Sequence, residues 1–324
     1  MSSITDQIKA PISKEMAEFE TKFRSSMKTK VMLLDKIMNY IVKRKGKQMR
    51  PMFVFLSAGV CGTITESTFR GASLIELLHT ATLVHDDVVD DAPMRRGFFS
   101  VNALWKNKIA VLVGDFLLSR GLILSIENEE FHLLRIVTEA VREMSEGELL
   151  QMEKARQVDV SEEIYFEVIR KKTASLIAAC CAVGAASVKA SAETITKMQE
   201  IGSLVGMAFQ IKDDLFDYGD EKIGKPLGID IREKKVTLPL IHALSKASWL
   251  EKRRILKLVR DAEDKPGNVE EVVRFVRDNG GLDHAKKVMD QFRDQAVELL
   301  NSLPDTPHRQ SLQLMIDYTI SRNK

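Results

Sequence analysis

The sequence predicts an all-α protein. Apolar residues recur at helical spacing along most of the 324 residues, which is the pattern of helices that pack one face against a core. The chain contains only 17 glycines and 8 prolines, and no segment shows the strict alternation of a half-buried strand. Hydrophobic residues make up 44% of the chain, which is ordinary for a globular protein with a core.

The predicted helices follow one another with short connections. Those between residues 49 and 219 carry few charges on most sides, which is typical of buried helices. In chain order the predicted helices cover 12–44, 49–61, 67–91, 101–125, 129–153, 161–188, 191–219, 235–247, 249–261, 267–278, 282–302 and 307–322.

The last part of the chain differs from the rest. From Leu250 onward the predicted helices are shorter and more charged, and they break at Pro266-Gly267 and Gly280-Gly281. We therefore expect a single domain over residues 1–324, with a helical core at about 12–247 and peripheral C-terminal helices at about 249–322.

Charge and cysteine content exclude several classes of protein. Lysine and arginine number 48 against 46 aspartates and glutamates, so the chain lacks the basic excess of a nucleic-acid binder. Cys61, Cys180 and Cys181 are odd in number and two of them are adjacent, which is no disulfide framework. Free thiols are typical of a reducing compartment, and we expect a cytoplasmic protein.

Nothing in the sequence predicts membrane insertion. Residues 1–10 lack the basic and then apolar pattern of a signal peptide. We place the longest apolar stretch near Leu176–Ala186, which is far shorter than the ~20 residues of a spanning helix. We expect no transmembrane segment, and any membrane contact is expected to be peripheral.

Two acidic clusters with the pattern D-D-x-x-D lie at residues 86–90 and 213–217, and each follows an apolar run. On a helix the first and last aspartates of such a cluster stack on one face, where their charges repel. Near an apolar core an unpaired ion is costly, so a positive partner is needed. We predict that the two helices face each other and form one carboxylate basin. The alternative is a pair of solvated helix ends.

Oxygen ligands without histidine or cysteine favour Mg²⁺, which is commonly shared with the phosphates of a substrate. The predicted metal ligands are Asp86, Asp87, Asp90, Asp213, Asp214 and Asp217.

Basic residues near these clusters indicate an anionic ligand. Arg95 and Arg96 come just after the first cluster, where the helix must end near Pro93. A guanidinium group matches phosphate oxygens. Each arginine alone is more often a surface charge, but beside a metal basin the set predicts a diphosphate site. The whole set is Lys47, Arg50, Arg95, Arg96 and Lys172.

Several ordered motifs resemble those of trans-prenyl (polyprenyl) diphosphate synthases. HTATLVHDDVVDDAPMRRG at 79–97 resembles the first aspartate-rich motif of that family, and GMAFQIKDDLFDYGD at 206–220 resembles the second. Four further segments match in order: GKQMRP at 46–51, SVNALWKNKIAVLVGDFLLSRG at 100–121, KKTASL at 171–176 and GKPLGIDIREKKVTLPL at 224–240.

The resemblance implies an isoprenoid synthase fold, which is a helical bundle around a central cavity, and usually a homodimer. It implies a Mg²⁺-dependent prenyltransferase, with about three ions when diphosphate is bound. The substrates would be isopentenyl diphosphate and an allylic diphosphate. No nucleophilic residue is needed, because the allylic cation requires preorganised dipoles and the exclusion of water.

Site residues are carried over from the matching motifs. Isopentenyl diphosphate would be held by Lys47, Arg50, His79 and Arg96. The allylic diphosphate would be held by Arg95, Lys172, Gln210 and Lys225, with Lys235 a weaker candidate. Thr173 and Gln210 would also face the reacting carbon, and the residues expected to carry catalysis are Asp86, Asp90, Asp213, Lys172, Thr173 and Gln210.

Two positions depart from the family pattern. The family usually has glycine where Lys45 and Lys234 stand. Neither position carries a predicted ligand, so the departures concern only the conformation of the local loops.

The helix that ends at the first cluster is expected to measure the product. Short-chain members of the family usually carry an aromatic residue four or five positions before the first motif, where this chain has Ala81 and Thr82. Leu78 lies one turn further back, and each turn of ~5.4 Å is near the length of an isoprene unit. We therefore expect a long product, around octaprenyl, of the kind used for quinone side chains.

Three alternatives remain. The chain could make C15 to C20 products, act as a non-catalytic subunit of a heteromeric synthase, or bind metal without a reaction. Intact aspartates speak against the second, because such subunits usually lose them.

Overall fold

The structure is a computed structural model, and it describes residues 3–43, 46–95, 97–155, 161–219, 228–263, 265 and 267–321. These residues form sixteen α-helices, one π turn, one short 3₁₀ turn at Ala10–Ile12 and one two-stranded hairpin. The all-α prediction is therefore confirmed.

The first eight helices are α1 (Ile4–Lys9), α2 (Ser13–Ser26), α3 (Met32–Lys43), α4 (Met49–Cys61), α5 (Glu66–Val89), α6 (Val101–Glu127), α7 (Phe131–Ala155) and α8 (Glu162–Ile169). The remaining helices are α9 (Ser175–Ser187), α10 (Ala192–Phe216), α11 (Ile229–Arg232), α12 (Leu238–Lys246), α13 (Trp249–Arg260), α14 (Gly267–Asp278), α15 (Gly281–Asn301) and α16 (Pro307–Ser321). The antiparallel strands β1 (Met94–Arg95) and β2 (Phe98–Phe99) pair Met94 with Phe99.

The described chain divides into two compact units, each made of separated segments. The first unit comprises residues 1–141, 179–199 and 303–312, and the second comprises 142–178, 200–302 and 313–324. In the first unit α5 packs along α6, and in the second α12 packs on α15. The first aspartate cluster lies in the first unit and the second cluster lies in the second unit.

Side-chain caps explain where several helices begin. Ser100 accepts a hydrogen bond from the backbone N–H of Ala103 at 3.0 Å, so α6 starts directly after the hairpin. Ser248 caps α13 in the same way. Serine is favoured there because its hydroxyl satisfies an N–H group that has no partner within the helix.

The long helix predicted over residues 12–44 is wrong. The structure ends α2 at Ser26 and begins α3 at Met32. The hydroxyl of Ser26 donates to the Phe23 carbonyl at 2.7 Å, and the hydroxyl of Thr29 accepts from the Val31 N–H at 3.3 Å. Such local bonds compete with the helical ladder. Neither α1 nor the hairpin is among the predicted elements.

One described helix is long and apolar enough, by length and composition alone, to cross a membrane. It is α6, and 33% of its most apolar window is buried in the protein. The longest apolar segment is thus α6 and not the stretch at 176–186. Asp115 and Arg120 interrupt this apolar run, so it is less evident in the sequence than the uncharged stretch at 176–186.

Candidate active site

The first aspartate cluster ends α5. The apolar residues before it, such as Leu77 and Ala81, are fully buried, so burial of the helix carries the acidic end to the edge of the core. Asp90 is the C-cap residue, and its N–H donates to the carbonyl of Asp86 at 2.8 Å. Asp86 and Asp90 are exposed, whereas Asp87 is only 3% exposed. The three carboxylates therefore do not share one environment.

Asp87 is paired with the hairpin. The Nε atom of Arg95 on β1 donates to its Oδ1 atom at 2.6 Å. Burial raises the pKa of Asp87, and the hydrogen bond from Arg95 works in the opposite direction. The Nε atom of Arg95 is already bonded to Asp87. A diphosphate could therefore contact only the remaining nitrogens of the Arg95 guanidinium group.

A cavity in the first unit lies beside this pair. Its wall includes His79, which is 7% exposed, together with Gln48 and Arg95. Aromatic and apolar side chains form much of the remainder: Tyr40, Leu83, Val84, Phe98 and Phe99. An apolar cavity with a few polar groups is the usual form of a small-molecule site.

Lys47 and Arg50, two predicted diphosphate ligands, lie at the start of α4. Lys47 is exposed and Arg50 is half-buried. Neither residue lines the cavity directly, although Gln48 between them does. Gln48 adopts a left-handed conformation with φ 54°, which directs the chain into α4.

In the second unit, the residues Lys172 and Thr173 lie on a π turn at Arg170–Ala174, between α8 and α9. Single π turns inside helices occur frequently at functional sites. Two glycines allow this turn to be closely packed. A Cβ atom on Gly147 would lie 2.7 Å from the backbone nitrogen of Lys172, and a Cβ atom on Gly206 would lie 2.4 Å from the Cα atom of Ala174.

The π turn presents Lys172 and Thr173 to different partners. The Nζ atom of Lys172 contacts Glu148 at 2.5 Å and Gln151 at 3.2 Å, both on α7. Thr173 Oγ1 donates to Gln210 Oε1 at 2.7 Å. The G-E-L-L-Q segment of α7, residues 147–151, therefore orients the lysine.

The second cluster ends α10, and its three aspartates also differ. Asp213 is exposed, Asp214 is 4% exposed, and Asp217 is half-buried. Asp214 accepts hydrogen bonds from Tyr165 at 2.7 Å and from Gln210 at 2.8 Å. Burial raises the pKa of Asp214 to about 7, and both hydrogen bonds lower it.

Asp217 caps the short helix α11. Its two carboxylate oxygens accept from the N–H groups of Ile229 at 2.8 Å and Asp230 at 3.1 Å. Burial and the nearby charge of Asp230 raise the pKa of Asp217 to about 6, against these backbone bonds. Asp217 thus organises the protein backbone as well as contributing charge.

A second cavity brings many predicted residues of this unit together. Lys172, Thr173, Gln210, Asp214 and Lys235 all line it. Its other lining residues include Gln151, Lys154, Tyr165, Asp230 and Thr237.

Lys235, the weaker candidate, is held within this cavity by acidic neighbours. Its Nζ atom lies 2.5 Å from Glu233 and 3.8 Å from Asp230. Burial lowers the pKa of Lys235, but the hydrogen bond with Glu233 and the charges of Glu233, Asp230 and Glu148 together outweigh burial, and the pKa is raised. The preceding residue, Lys234, has φ 59°. This left-handed conformation explains why glycine is usual at that position.

Tyr165 and Asp230 are site residues that the sequence analysis missed. Tyr165 lies seven residues, or two helical turns, before Lys172, so its spacing could have indicated a shared face. Asp230 lay within a matched motif, but an isolated aspartate carries no pattern of its own. Its pKa is raised by burial.

The predicted chain-length residues lie away from both cavities. Ala81 and Leu78 are buried, and Thr82 donates to the His79 carbonyl at 2.9 Å. Leu78 packs against Gly121 of α6, where a Cβ atom would meet its methyl group at 2.4 Å. None of the three lines the first cavity, which uses a different face of α5. Their role as a ruler stays a prediction.

Two predicted ligands, Arg96 and Lys225, lie outside the described residues, as does Lys45.

The donor set fits a hard divalent cation. Asp86, Asp90 and Asp213 are exposed carboxylates, and oxygen-only ligands are what Mg²⁺ prefers. Within the described ranges, no three His, Cys, Asp or Glu side chains converge closely enough to hold a metal by themselves. The described carboxylates therefore need additional oxygens, such as those of water and diphosphate, to complete an octahedral shell.

Residues 31–276 match the family model described as polyprenyl synthetase. The chain is 35% identical over 308 residues to an all-trans-nonaprenyl-diphosphate synthase (geranyl-diphosphate specific) of Rhodobacter capsulatus, covering 94% of each chain. It is 33% identical to an octaprenyl diphosphate synthase of Escherichia coli, covering 98% of this chain and 99% of the relative.

Solved structures show the same fold. A decaprenyl diphosphate synthase from Rhodobacter capsulatus superposes with a TM-score of 0.92 at 34% identity over 99% of both chains. A polyprenyl synthase from Caulobacter crescentus, complexed with calcium and isoprenyl diphosphate, has a TM-score of 0.88 at 30% identity, covering 99% of this chain and 98% of that one. A geranylgeranyl pyrophosphate synthase from Bacteroides thetaiotaomicron has a TM-score of 0.83 at 36% identity, covering 98% and 99% respectively.

The chain therefore belongs to the polyprenyl synthetase family, and the resemblance of its motifs is confirmed. It is a prenyltransferase, a trans-polyprenyl diphosphate synthase like its relatives and structural neighbours.

Proposed function

We propose that this enzyme condenses isopentenyl diphosphate with an allylic diphosphate, such as farnesyl diphosphate, to make a long all-trans polyprenyl diphosphate. The observation that carries the proposal is the second cavity, where Lys172, Thr173 and Gln210 meet beside an aspartate cluster. A cation and two oxygen dipoles suit an allylic diphosphate that ionises there.

The reaction requires charge stabilisation on both sides of the breaking bond. Bound Mg²⁺ would neutralise the charge that develops on the departing diphosphate, and Asp86, Asp90 and Asp213 would hold it. The ammonium group of Lys172, oriented by Glu148 and Gln151, lies ready to contact the same diphosphate. Thr173 and Gln210 direct oxygen dipoles toward the carbon that becomes positive.

In this proposal isopentenyl diphosphate binds to the residues of the first unit that match the family motifs. Lys47, Arg50 and His79 carry the positive or hydrogen-bonding groups, and the apolar wall with Leu83 and Val84 suits a short hydrocarbon. The double bond attacks the allylic cation, and the proton that is then lost passes to the released diphosphate.

Incubation with farnesyl diphosphate, isopentenyl diphosphate and Mg²⁺ tests the proposal, with the product separated by chromatography. We expect chains near the octaprenyl length. Products that stop at C15 or C20 would support the short-chain alternative, which the likeness to a geranylgeranyl pyrophosphate synthase favours. No product from the protein alone would contradict the proposal and favour a non-catalytic subunit.

We propose that product length depends on the residues of α5 that precede the first aspartate cluster. Ala81→Tyr introduces a ring one turn before the first cluster, so it should shorten the product if the growing tail passes there. Thr82→Ser is a matched control, because it removes one methyl group and keeps the hydroxyl that bonds to His79. An unchanged product from Ala81→Tyr would contradict the ruler and leave the condensation intact.

The same proposal predicts that the protein binds its metal more tightly when diphosphate is present. Mn²⁺, a spectroscopic substitute for Mg²⁺, should bind weakly alone and at least ~10-fold more tightly with inorganic diphosphate, because the described carboxylates offer no complete site. Electron paramagnetic resonance measures the free ion. Equal affinity with and without diphosphate would favour a protein that binds metal without a reaction.

We also propose a homodimer built on α6. Large apolar side chains are exposed on this helix, including Leu112 at 56% and Ile126 at 54% exposure. Leu104, Val111, Leu122 and Ile123 are each more than two-fifths exposed. A self-complementary apolar patch is the usual basis of a two-fold dimer. The double substitution Leu112→Glu and Ile123→Glu should yield monomers in analytical ultracentrifugation, whereas Glu127→Gln should not.

A further inference from the structure

Four side chains of the second unit form one continuous hydrogen-bond chain. Thr173 donates to Gln210 at 2.7 Å, Gln210 donates to Asp214 at 2.8 Å, and Tyr165 donates to the other oxygen of Asp214 at 2.7 Å. The four residues come from the π turn, α10 and α8. All four line the second cavity.

The far end of the chain is shielded from water. Tyr165 is 5% exposed and Asp214 is 4% exposed. A buried polar group that loses its partner cannot replace it with bulk water, so breaking either of these hydrogen bonds is costly. Both oxygens of Asp214 are engaged by protein donors.

The chemistry of the groups sets the direction of the chain. The Gln210 amide turns its NH₂ group toward Asp214, whose carboxylate oxygen accepts the bond. The amide oxygen then faces Thr173, and the threonine hydroxyl must donate its proton to it. The two lone pairs of the Thr173 oxygen remain available to the cavity.

We propose that Tyr165 and Asp214 are positioning residues that fix the Gln210 amide, so that Thr173 offers oxygen lone pairs to a developing carbocation. This inference rests on the proposed function, because it assigns the carbocation to the second cavity. It also gives Asp214 a different task from the metal ligand expected from its motif. A hydroxyl turned the other way would direct its proton at the positive carbon and disfavour ionisation.

Tyr165→Phe tests the chain by removing one hydroxyl. We expect kcat to fall roughly 10-fold, which corresponds to ~1.4 kcal/mol, while KM for both substrates changes by less than about twofold. Tyr218→Phe is the matched control. Tyr218 is fully buried in the same unit, and its hydroxyl pairs with Thr237 and not with a carboxylate. It should show a similar drop in Tm but nearly normal kcat.

A merely structural role for Tyr165 predicts a different pattern. A general loss of packing in the second unit would lower kcat equally in both tyrosine variants, or would raise KM without the selective loss of kcat. Either result overturns the proposal.

A pair of substitutions tests the direction of the chain even if Tyr165→Phe folds poorly. In Asp214→Asn the side chain has one acceptor oxygen and one NH₂ group, so it cannot accept from both Tyr165 and Gln210, and the orientation of the Gln210 amide is no longer fixed. We expect kcat to fall at least ~10-fold. Adding Gln210→Glu supplies a carboxylate that accepts from both Asn and Thr173. The double variant should recover several-fold of the lost kcat.

The double variant separates positioning from metal binding. If Asp214 were needed as a metal ligand, moving the charge to position 210 would restore nothing, and that result overturns the proposal. The wild type serves as the reference for both ideas. An inactive wild type overturns the proposed function and this inference together, whereas an active wild type with a fully active Tyr165→Phe variant overturns this inference alone.

Discussion

In the first aspartate cluster a cation holds the buried carboxylate, whereas in the second neutral donors hold it. Asp87 contacts the guanidinium group of Arg95 at 2.6 Å. Asp214 contacts the phenol of Tyr165 and the amide of Gln210. In each cluster the second aspartate is the one turned inward, because it lies on the side of the helix that faces the core.

The two arrangements have different electrostatic consequences. Arg95 cancels the charge of Asp87, so the first cluster presents the charges of its exposed aspartates. The groups that donate hydrogen bonds to Asp214 are uncharged, and burial raises its pKa to about 7. The charge of the second cluster therefore depends on protons, on metal and on whatever ligand enters its cavity. Two identical sequence patterns thus give one fixed and one adjustable negative site.

The largest expected effect comes from removing an exposed carboxylate from either cluster. Asp86→Ala and Asp213→Ala should each reduce kcat by ~100-fold or more, since each loses a charge that stabilises the departing diphosphate. Thermal unfolding should change little, because both side chains are exposed. Asp278→Ala, at the exposed end of α14, provides the control. Full activity in either cluster variant would contradict the role of that cluster.

A smaller effect is expected on the pH dependence of stability, to which Asp214 should contribute. The folded-state pKa of Asp214 is about 7, above the unfolded value of ~3.9, so between these values the folded state binds more protons. The free energy of unfolding contributed by this group must then fall as the pH rises. Asp214→Asn removes that dependence. Without metal, its Tm relative to wild type should increase from about pH 5 to about pH 8.

Asp278→Asn is the matched control for this measurement, because Asp278 is exposed. Its Tm difference from wild type should not follow the same trend. A Tm difference for Asp214→Asn that stays constant with pH, or falls, would contradict the raised pKa of Asp214.

The smallest expected effect concerns the loop beside the second cluster. Lys234 has φ 59°, and a lysine in this region costs roughly 1 kcal/mol relative to glycine. Lys234→Gly should therefore raise the free energy of unfolding by up to about 1 kcal/mol, measured by denaturant unfolding. The gain is reduced by the loss of the contact between Lys234 and Glu263. Lys234→Ala is the control, since it removes the contact and keeps the strain.

Periodicity predicted the long buried helices well, because their apolar residues pack on neighbours along the whole length. The segments predicted at 49–61 and 267–278 have the same bounds in the structure. Prediction failed where local bonds broke a helix, as at Ser26 and Thr29. It also failed for the hairpin at 94–99, whose strands are too short to show alternation.

The sequence by itself determined the helical class, the two aspartate clusters and the family, since each depends on residue types at fixed spacing. Only the tertiary structure decided which aspartate of each cluster is buried and what holds it. Arg95 lies eight residues from Asp87, but Tyr165 lies 49 residues from Asp214. The π turn and the two glycines that pack against it are also contacts between distant segments. Spacing along one helix cannot reveal such partners, because folding brings them together.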